Sequence, residues 1–556
     1  MNNTRSAEAP QQMRGNFLAP VYMWVAGLQG WRAIAFAGAM GAVANLALPP
    51  FFIWPFLGVA LTGLVWSLDA ARLAPRPGRA AFWRVAAFGY FYYLVGMHWI
   101  AAAFLVDANA YLVFIWMPLV ALPGGLALVM AGVMNFAFRF WCAGPARLII
   151  FSVAFMFHEW LRGSLFGIGG IPWNLPGMIW EPGGAVSQSA SIWGIYGLSA
   201  LTVIAMASPA TLADARARGT TGSRAAPVIV AAIVFGAIWG WGAKRLSDIP
   251  TDTTASSRPM VRLVEVGVPQ GQKYKPGVAE KVVLRFRNLS GPDTVDAPPI
   301  VIWPEGALPG LLFEWPEALD VVASGIGNRR LILGLVRREN PGTDQEKVYN
   351  SLAVLSRQSD VQGPLAIYDK HMLVPFGEFT PFSDILTKLG LKSLQKLAPG
   401  GFDAGPMPAP VKVLGIPPFG PLICYEAIFP GLTPEGPDRP EWLVNISNDS
   451  WFGALTGPYQ HAAQAQYRSI EEGLPMARVA AGGLTGVIDA YGRWTAHGKP
   501  ADPKIFGPDP EGWKSSVVDA RIPPAAAATP YSQWRDGMFW LILIFLNLGL
   551  FVLPRR

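Results

Sequence analysis

Three side chains in this sequence can do covalent chemistry together: the carboxylate of Glu305, the ammonium of Lys370 and the thiol of Cys424. Each has its own phrase, Ile302-Trp303-Pro304-Glu305-Gly306, Tyr368-Asp369-Lys370-His371 and Leu422-Ile423-Cys424-Tyr425-Glu426, and each follows an apolar, strand-like run. A free thiol has a pKa of about 8.5 and attacks as thiolate, so it needs a base or positive surroundings. Glu305 can take the proton. Lys370 can hold the thiolate and then the charge on a tetrahedral intermediate. These are the parts of a covalent acyl-transfer site. Open α/β sheets gather such groups where strands end, so the three strand ends are expected to converge on one rim of one sheet. An isolated cysteine is more often a small buried hydrophobe; the two accompanying phrases reverse that reading.

Two more carboxylates lie beside apolar residues: Glu378 in Val374-Pro375-Phe376-Gly377-Glu378-Phe379, and Glu426, two residues past the thiol. Both read as supports for the three reacting groups. His371 and His461 raise the alternative of a Cys–His dyad. However, His371 adjoins Lys370 in an extended stretch and points to the opposite face, and His461 falls in the first turns of a helix; both read as structural. Among five His and two Cys there is no HxxxH or CxxC spacing, so no metal site is expected. Cys142 ends an apolar span while Cys424 lies in a polar block, so no disulfide between them is expected.

The elements that must position these groups divide the 556 residues in two. Only 15% of residues are charged and 52% are hydrophobic, with a mean hydropathy of +0.32, whereas soluble chains carry about 25% charge. A multi-pass membrane protein is expected. The net charge of +7 is modest, and much of the arginine lies in short loops between apolar spans, so nucleic acid is not the expected partner. Spanning a bilayer takes roughly 20 apolar residues, and candidate spans run near 31–49, 51–69, 85–106, 111–137, 148–165, 189–209, 226–243 and 536–553. Apolar spans keep coming after the first, so no cleavable signal peptide is read. Arg5 and Arg14 precede the first span. Arg72, Arg76, Arg79 and Arg84 surround the second connection, Arg139 and Arg147 the fourth, and Arg216, Arg218 and Arg224 lie in the sixth. The positive-inside rule then puts both termini in the cytoplasm and the block after the seventh span on the outer face. Lys244 and Arg245 run against this pattern.

The expected organisation is an N-terminal cytoplasmic tail (1–30), a membrane domain of seven spans (31–245), an outer-facing catalytic domain (258–520) and an eighth span (536–553). Within the catalytic block, Val261–Val268, Pro299–Trp303, Leu331–Leu335, Val348–Leu355, Pro364–Tyr368, Pro421–Cys424 and Trp442–Ile446 read as strands. Ala279–Leu289, Pro316–Ser324 and Pro458–Glu472 read as helices, which predicts an α/β sheet with helices on its faces. Asp384–Ala398 carries Lys388, Lys392 and Lys396 at helical spacing, a segment that can lie on a membrane surface or pack on its own domain. In the fifth span, Glu159 and Arg162 can pair one turn apart, with His158 beside them; none is assigned to catalysis.

Trp303-Pro304-Glu305, Lys370 with Leu373-Val374-Pro375-Phe376-Gly377-Glu378, and Cys424-Tyr425-Glu426 resemble the nitrilase (carbon–nitrogen hydrolase) superfamily. Adding Val444-Asn445-Ile446-Ser447-Asn448-Asp449-Ser450-Trp451-Phe452-Gly453, Gly457-Pro458-Tyr459-Gln460-His461, Glu159-Trp160-Leu161-Arg162-Gly163 and Ile171-Pro172-Trp173, the chain resembles the apolipoprotein N-acyltransferase family over nearly its whole length. That resemblance implies eight transmembrane helices and an α-β-β-α sandwich. It also implies a ping-pong reaction without cofactor. Glu305 is then the general base, Lys370 the oxyanion stabiliser, and Cys424 the nucleophile that takes the sn-1 acyl chain of a phospholipid. The acceptor implied is the α-amine of a diacylglyceryl-cysteine at a lipoprotein N-terminus. Glu378 and Glu426 match carboxylates beside the triad; Tyr425, Asn350 and Tyr274 (usually Trp) match positions near the pocket. Gly306 departs from a common Ser or Thr, and Ala481-Gly482 from an Asn-containing phrase. A membrane-tethered amidase using water is the rival enzyme; a transporter or binding platform with a decayed domain is the rival from another class. The fused apolar half argues against the first, and the intact Glu305/Lys370/Cys424 set against the second.

Overall fold

Long apolar runs can satisfy their backbone groups in lipid only from within, so they fold as helices. The computed structural model describes residues 17–164, 170–214, 224–249, 258–381, 401–434, 439–506 and 511–552. Its first half is helical: α1 (Ala19–Gly27), α2 (Gly30–Ala44), α3 (Pro55–Ala71), α4 (Pro77–Met97), α5 (Leu122–Phe138), α6 (Ala146–Gly163), α7 (Ala190–Ala207) and α8 (Ala226–Ser247). Helix α1 falls inside the stretch read as an N-terminal tail. Among the described residues, Pro77–Leu105, Leu112–Phe138, Ser187–Ala213 and Ala226–Ser247 are long and apolar enough to cross a membrane; Pro55–Ala71 and Gly537–Gly549 are apolar but shorter. The first two expected spans, 31–49 and 51–69, are trimmed where they meet: α2 stops at Ala44 and α3 starts at Pro55, with a 3-10 turn (Asn45–Ala47) and the Pro49-Pro50 turn between. Helix α6 is more polar than the others because it buries Arg147, His158, Glu159 and Arg162.

The second half is an α/β domain, but with two sheets where the strand pattern alone predicted one. β1 (Met260–Glu265), β2 (Ile300–Ile302), β3 (Arg330–Glu339), β4 (Lys347–Leu355) and β5 (Ala366–Asp369) build the first sheet with β12 (Lys499–Pro500) and β13 (Ser516–Arg521), in the order β12-β13-β1-β2-β3-β4-β5. The second contains β6 (Val411–Val413), β7 (Ile416–Ile423), β8 (Trp442–Asn448), β9 (Met476–Ala481), β10 (Gly486–Ile488) and β11 (Trp494–His497), in the order β11-β10-β9-β8-β7-β6. The centre of each sheet is parallel, β1-β2-β3 and β7-β8-β9, and its margins are antiparallel. Val261, Ile302, Ile332 and Val354 from one sheet meet Phe419, Ile423, Val444 and Val479 from the other in a single apolar layer.

Helices α9 (Ala279–Ser290) and α10 (Pro316–Ile326) cover the outside of the first sheet, with Val282, Phe286, Leu289, Leu319 and Val322 turned inward. Helix α11 (Gly457–Glu472) covers the second. This is the α-β-β-α layering that the family resemblance implied. The basic segment Asp384–Ala398 lies outside the described residues.

Helix α11 is also where the halves meet, and every residue in it except Tyr459 is buried. Gln460 accepts from the indoles of Trp99 (3.0 Å) and Trp173 (2.8 Å). Tyr467 donates to the Trp180 carbonyl (2.7 Å). Glu471 accepts from the Ile195 N–H (2.7 Å), a group freed where α7 breaks at Gly194 (φ 67°). A side chain at Gly194 would run into the Tyr531 ring, 2.4 Å from where its Cβ would stand. Helix α12 (Gly537–Val552) then returns to the bundle, with Phe539 and Leu543 in the helical core.

Candidate active site

Each of the three candidate groups stands just past a strand end, but the strands belong to two sheets, not one. Glu305 follows β2 and Lys370 follows β5 in the first sheet; Cys424 follows β7 in the second. The rim that unites them is the end of the sandwich. Glu305 can lie there because β3 passes close by: a Cβ on Gly334 would stand 2.4 Å from the Glu305 Cα.

Both Glu305 oxygens are committed. Oε1 accepts from Asn350 Nδ2 (2.7 Å) and Lys370 Nζ (3.2 Å), and Oε2 accepts from the backbone N–H of Asn448 (2.8 Å). Lys370 also donates to Glu378 Oε1 (2.9 Å), which takes a second bond from Asn350 (2.8 Å). Glu378 Oε2 accepts from Val374 N–H (2.8 Å), fixing the turn that carries it. Asn350, on β4, thus holds two carboxylates around one ammonium. Burial opposes the charge on Glu305, yet Lys370, Asn350 and Cys424 outweigh it and hold its pKa below the usual value. Burial likewise opposes the charge on Lys370; Glu305 and Glu378 outweigh it and raise its pKa.

Cys424 adopts φ 50°, a left-handed conformation that costs an L-residue roughly 1–2 kcal/mol. The turn is clamped by Glu426, which is fully buried. Its Oε2 accepts from Ile423 N–H (2.7 Å), and its Oε1 from Tyr368 OH (2.6 Å), His371 N–H (2.8 Å) and Met372 N–H (3.2 Å). One carboxylate therefore fastens the thiol turn to the Lys370 turn. Burial pushes its pKa up. The thiol's own pKa is raised, first by burial and then by Glu305, with Lys370 pulling the other way. Burial and the Glu305 charge both favour the protonated thiol. His371 points away, its Nδ1 2.8 Å from the Gly405 carbonyl.

This site lies on a chain whose parts match two family models: "Apolipoprotein N-acyltransferase N-terminal domain" over residues 40–208 and "Carbon-nitrogen hydrolase" over residues 300–499. The apolipoprotein N-acyltransferase of Rhodopseudomonas palustris is 35% identical over 91% of this chain and 92% of its own. That of Caulobacter vibrioides is 36% identical over 92% of this chain and 93% of its own. The chain belongs to the apolipoprotein N-acyltransferase family. It is an acyltransferase of the carbon–nitrogen hydrolase superfamily and a membrane protein. Among solved structures, a glutamine-dependent NAD+ synthetase from Acinetobacter baumannii is similar over 49% of this chain and 48% of that one, at 13% identity and a TM-score of 0.30.

Of the remaining positions that the family resemblance marked, Tyr425 donates its hydroxyl to the Gly170 carbonyl (2.8 Å), reaching into the helical half. Tyr274 is 67% exposed, at the end of the short helix Gln270–Lys273. The residues before it do more. Gln270 accepts from Asn448 Nδ2 (3.2 Å), and Lys273 donates to the Gly306 carbonyl. Burial lowers the Lys273 pKa to about 8, with the Glu305 charge opposing.

Reasoning from the sequence missed Gln270, Lys273 and Arg478, and quoted Ser447, Asn448 and Asp449 in the family phrase without giving them a role. The signal for two was present: Ser447 and Asn448, like Asn445, interrupt a strand buried on both faces, where polar groups need partners. Asp449 is held by Arg478 (2.7 Å) and Ser447 (2.6 Å). Burial opposes its charge, but Arg478 and His461 outweigh it and hold its pKa at about 2.

Proposed function

We propose that this family member transfers the sn-1 acyl chain of a phospholipid to the α-amine of an N-terminal diacylglyceryl-cysteine, through a thioester on Cys424. Glu305 takes the thiol proton as sulfur attacks the ester carbonyl, and Lys370 faces the oxyanion. The intermediate collapses, Glu305 returns the proton to the departing alkoxide, and a lysophospholipid leaves. The amine then attacks the thioester, Glu305 takes its proton and passes it to the departing sulfur, and the amide forms with the thiol and the carboxylate restored. Closing the site against water lets the thioester survive until the amine arrives.

One observation carries this reading: the nucleophile's turn is packed into the membrane half. Tyr425, Ile428 and Phe429 join the same apolar cluster as Leu61, Tyr92, Trp99 and Trp173, and Met372 and Val374, just past Lys370, pack against it. An amidase acting on small soluble amides has no use for a thiol rooted among lipid-crossing helices.

In this reading eight helices span a bacterial inner membrane, with both termini cytoplasmic and the catalytic domain periplasmic. Arginine placement supports that orientation. The contrary Arg245 has a packing role: it donates to Ser191 Oγ and lies over the Trp241 and Tyr491 rings.

The test uses purified protein and a phospholipid labelled in its sn-1 chain. Label should appear on Cys424 and move to a diacylated lipopeptide amine, and Cys424→Ala should take none. Equal labelling of Cys424→Ala would sink the proposal, and release of label as free acid despite abundant lipopeptide would favour hydrolysis.

A further inference from the structure

A second polar group touches the nucleophile, and the mechanism above leaves it unused. His461, on the first turns of α11, places Nε2 3.0 Å from the backbone carbonyl of Cys424 and Nδ1 2.8 Å from Asp449 Oδ1. Arg478, on β9, donates to the other oxygen of Asp449 and to Asn445 Oδ1. His461, Asp449, Asn445 and Arg478 are all fully buried. The imidazole is boxed by Trp173 and Phe452, with ring centres 5.6 and 5.7 Å away. It is fixed at both nitrogens and flanked by two aromatic rings.

Two ordinary uses for such a histidine do not fit. As a general base it would need a ring lone pair turned to sulfur. Nε2 faces a carbonyl oxygen, which can only accept, so this nitrogen carries a hydrogen; Nδ1 faces the Asp449 carboxylate. As a metal ligand it has apparent company, since Cys424, Asp449 and His461 donor atoms lie within 4.8 Å of one another. Yet both Asp449 oxygens and both ring nitrogens already have partners, and the Arg478 guanidinium belongs to the same cluster. A cation would have to displace it.

What the imidazole does hold is one peptide group. The Cys424 carbonyl and the Tyr425 N–H are two ends of the same amide. A hydrogen bond to the carbonyl polarises that amide and makes its N–H a stronger donor. This amide opens the short 3-10 turn Cys424–Ile428, where the first N–H groups have no acceptor within the turn.

We propose that His461, held by Asp449 and Arg478, is a positioning residue for acyl transfer: it fixes and polarises the Cys424–Tyr425 amide so that its N–H receives the acyl oxyanion together with Lys370. The inference rests on reading Cys424 as the acyl-carrying nucleophile. It adds a donor to the site, and makes its strength depend on an imidazole that never touches substrate.

The test separates acylation from simple thiol reactivity in full-length protein carrying Cys142→Ala. Acylation by sn-1-labelled phospholipid passes through an oxyanion; alkylation of Cys424 by iodoacetamide does not. His461→Asn keeps a group beside Asp449 but cannot reach the Cys424 carbonyl. Its acylation should fall about 10- to 100-fold, somewhat less than loss of an oxyanion donor itself, with apparent lipid affinity unchanged and alkylation at the parent rate. His461→Gln, whose amide NH2 reaches where Nε2 stands, should recover most of the loss. If His461→Asn does not fold, Asp449→Asn carries the same test, with a smaller selective loss of acylation expected.

Acylation at the parent rate in these variants overturns the inference. So does a parallel fall in acylation and alkylation, or His461→Gln as poor as His461→Asn. A parent protein that alkylates at Cys424 yet never takes acyl label would instead overturn the nucleophile reading on which the inference stands.

Discussion

Each half of the molecule buries a carboxylate–cation pair, and the two are built for different ends. In α6, Glu159 and Arg162 are 0% and 1% exposed; in the catalytic domain, Glu305 and Lys370 are 10% and 1% exposed. Arg162 is a planar fork and its contacts are spent on fixed acceptors: both Glu159 oxygens and the carbonyls of Ile171 and Trp173. Tyr93 adds a donor to Glu159 at 2.9 Å. Such a pair ties a helix to the strap that follows it, with four of the five guanidinium N–H groups spent there. Lys370 is a compact ammonium with three donors, shared between Glu305 and Glu378. One donor remains, which in the proposed mechanism faces the oxyanion. Burial alone does not distinguish the two pairs; what differs is that Arg162 faces fixed acceptors, whereas the Lys370 ammonium also lies in the field of the Cys424 thiol.

Removing a charge from each pair should therefore read out differently. Glu305→Gln should slow acylation of Cys424 by about 10³-fold, the scale of a lost general base. Its melting temperature should move little, because Lys370 keeps Glu378 as partner. Thioester formation followed with labelled phospholipid, alongside thermal unfolding in detergent, checks both halves of the statement. A variant that acylates normally removes Glu305 as base. One that merely melts early makes the pair structural, like its counterpart.

The opposite split is expected for Glu159→Gln. Breaking a buried pair from one side leaves Arg162 uncompensated and should cost about 3–5 kcal/mol of stability. Protein that remains folded should still form thioester within several-fold of wild type. Unfolding in detergent, with acylation normalised to folded protein, is the measurement. A collapse in rate without loss of stability would place α6 in the chemistry and erase the contrast drawn above.

The sequence made parts of this legible because they are local. A short β-branched or apolar run followed at once by Glu305, Lys370 or Cys424 is a strand ending in a functional group, and the described residues show all three in that place. Helices α9, α10 and α11 were readable from their spacing for the same reason. Pairing between distant strands leaves no such local trace, so one sheet was expected where two face each other. The short strands β6 and β9 to β13 went unread, since two to six residues hold too few periods to register. Within the site, Glu305 and Lys370 announced themselves as charges beside apolar runs. Asn350 was marked only by the family resemblance, and Asn448 was given no role although a polar residue in a strand buried on both faces needs a partner. His461 was read as structural from its helix; its contact with the Cys424 carbonyl comes from a turn far away in sequence.

The smallest expected effect lies in the bond that joins the two regions. Tyr425, beside the nucleophile, donates to the Gly170 carbonyl at 2.8 Å. Gly170 precedes Ile171 and Trp173, whose carbonyls Arg162 holds. If Arg162 fixes the strap for Tyr425 to grip, the two contacts are coupled. Tyr425→Phe removes one buried hydrogen bond and should cost about 1 kcal/mol of stability in the wild-type background. Arg162→Lys keeps the charge beside Glu159 but loses the fork that reaches both carbonyls. In that background the strap is already loose, so Tyr425→Phe should cost less than half as much, a coupling measurable by a double-mutant cycle on unfolding. Additive losses would mean that the strap is held by other contacts and that the structural pair of α6 does not extend to the nucleophile's turn.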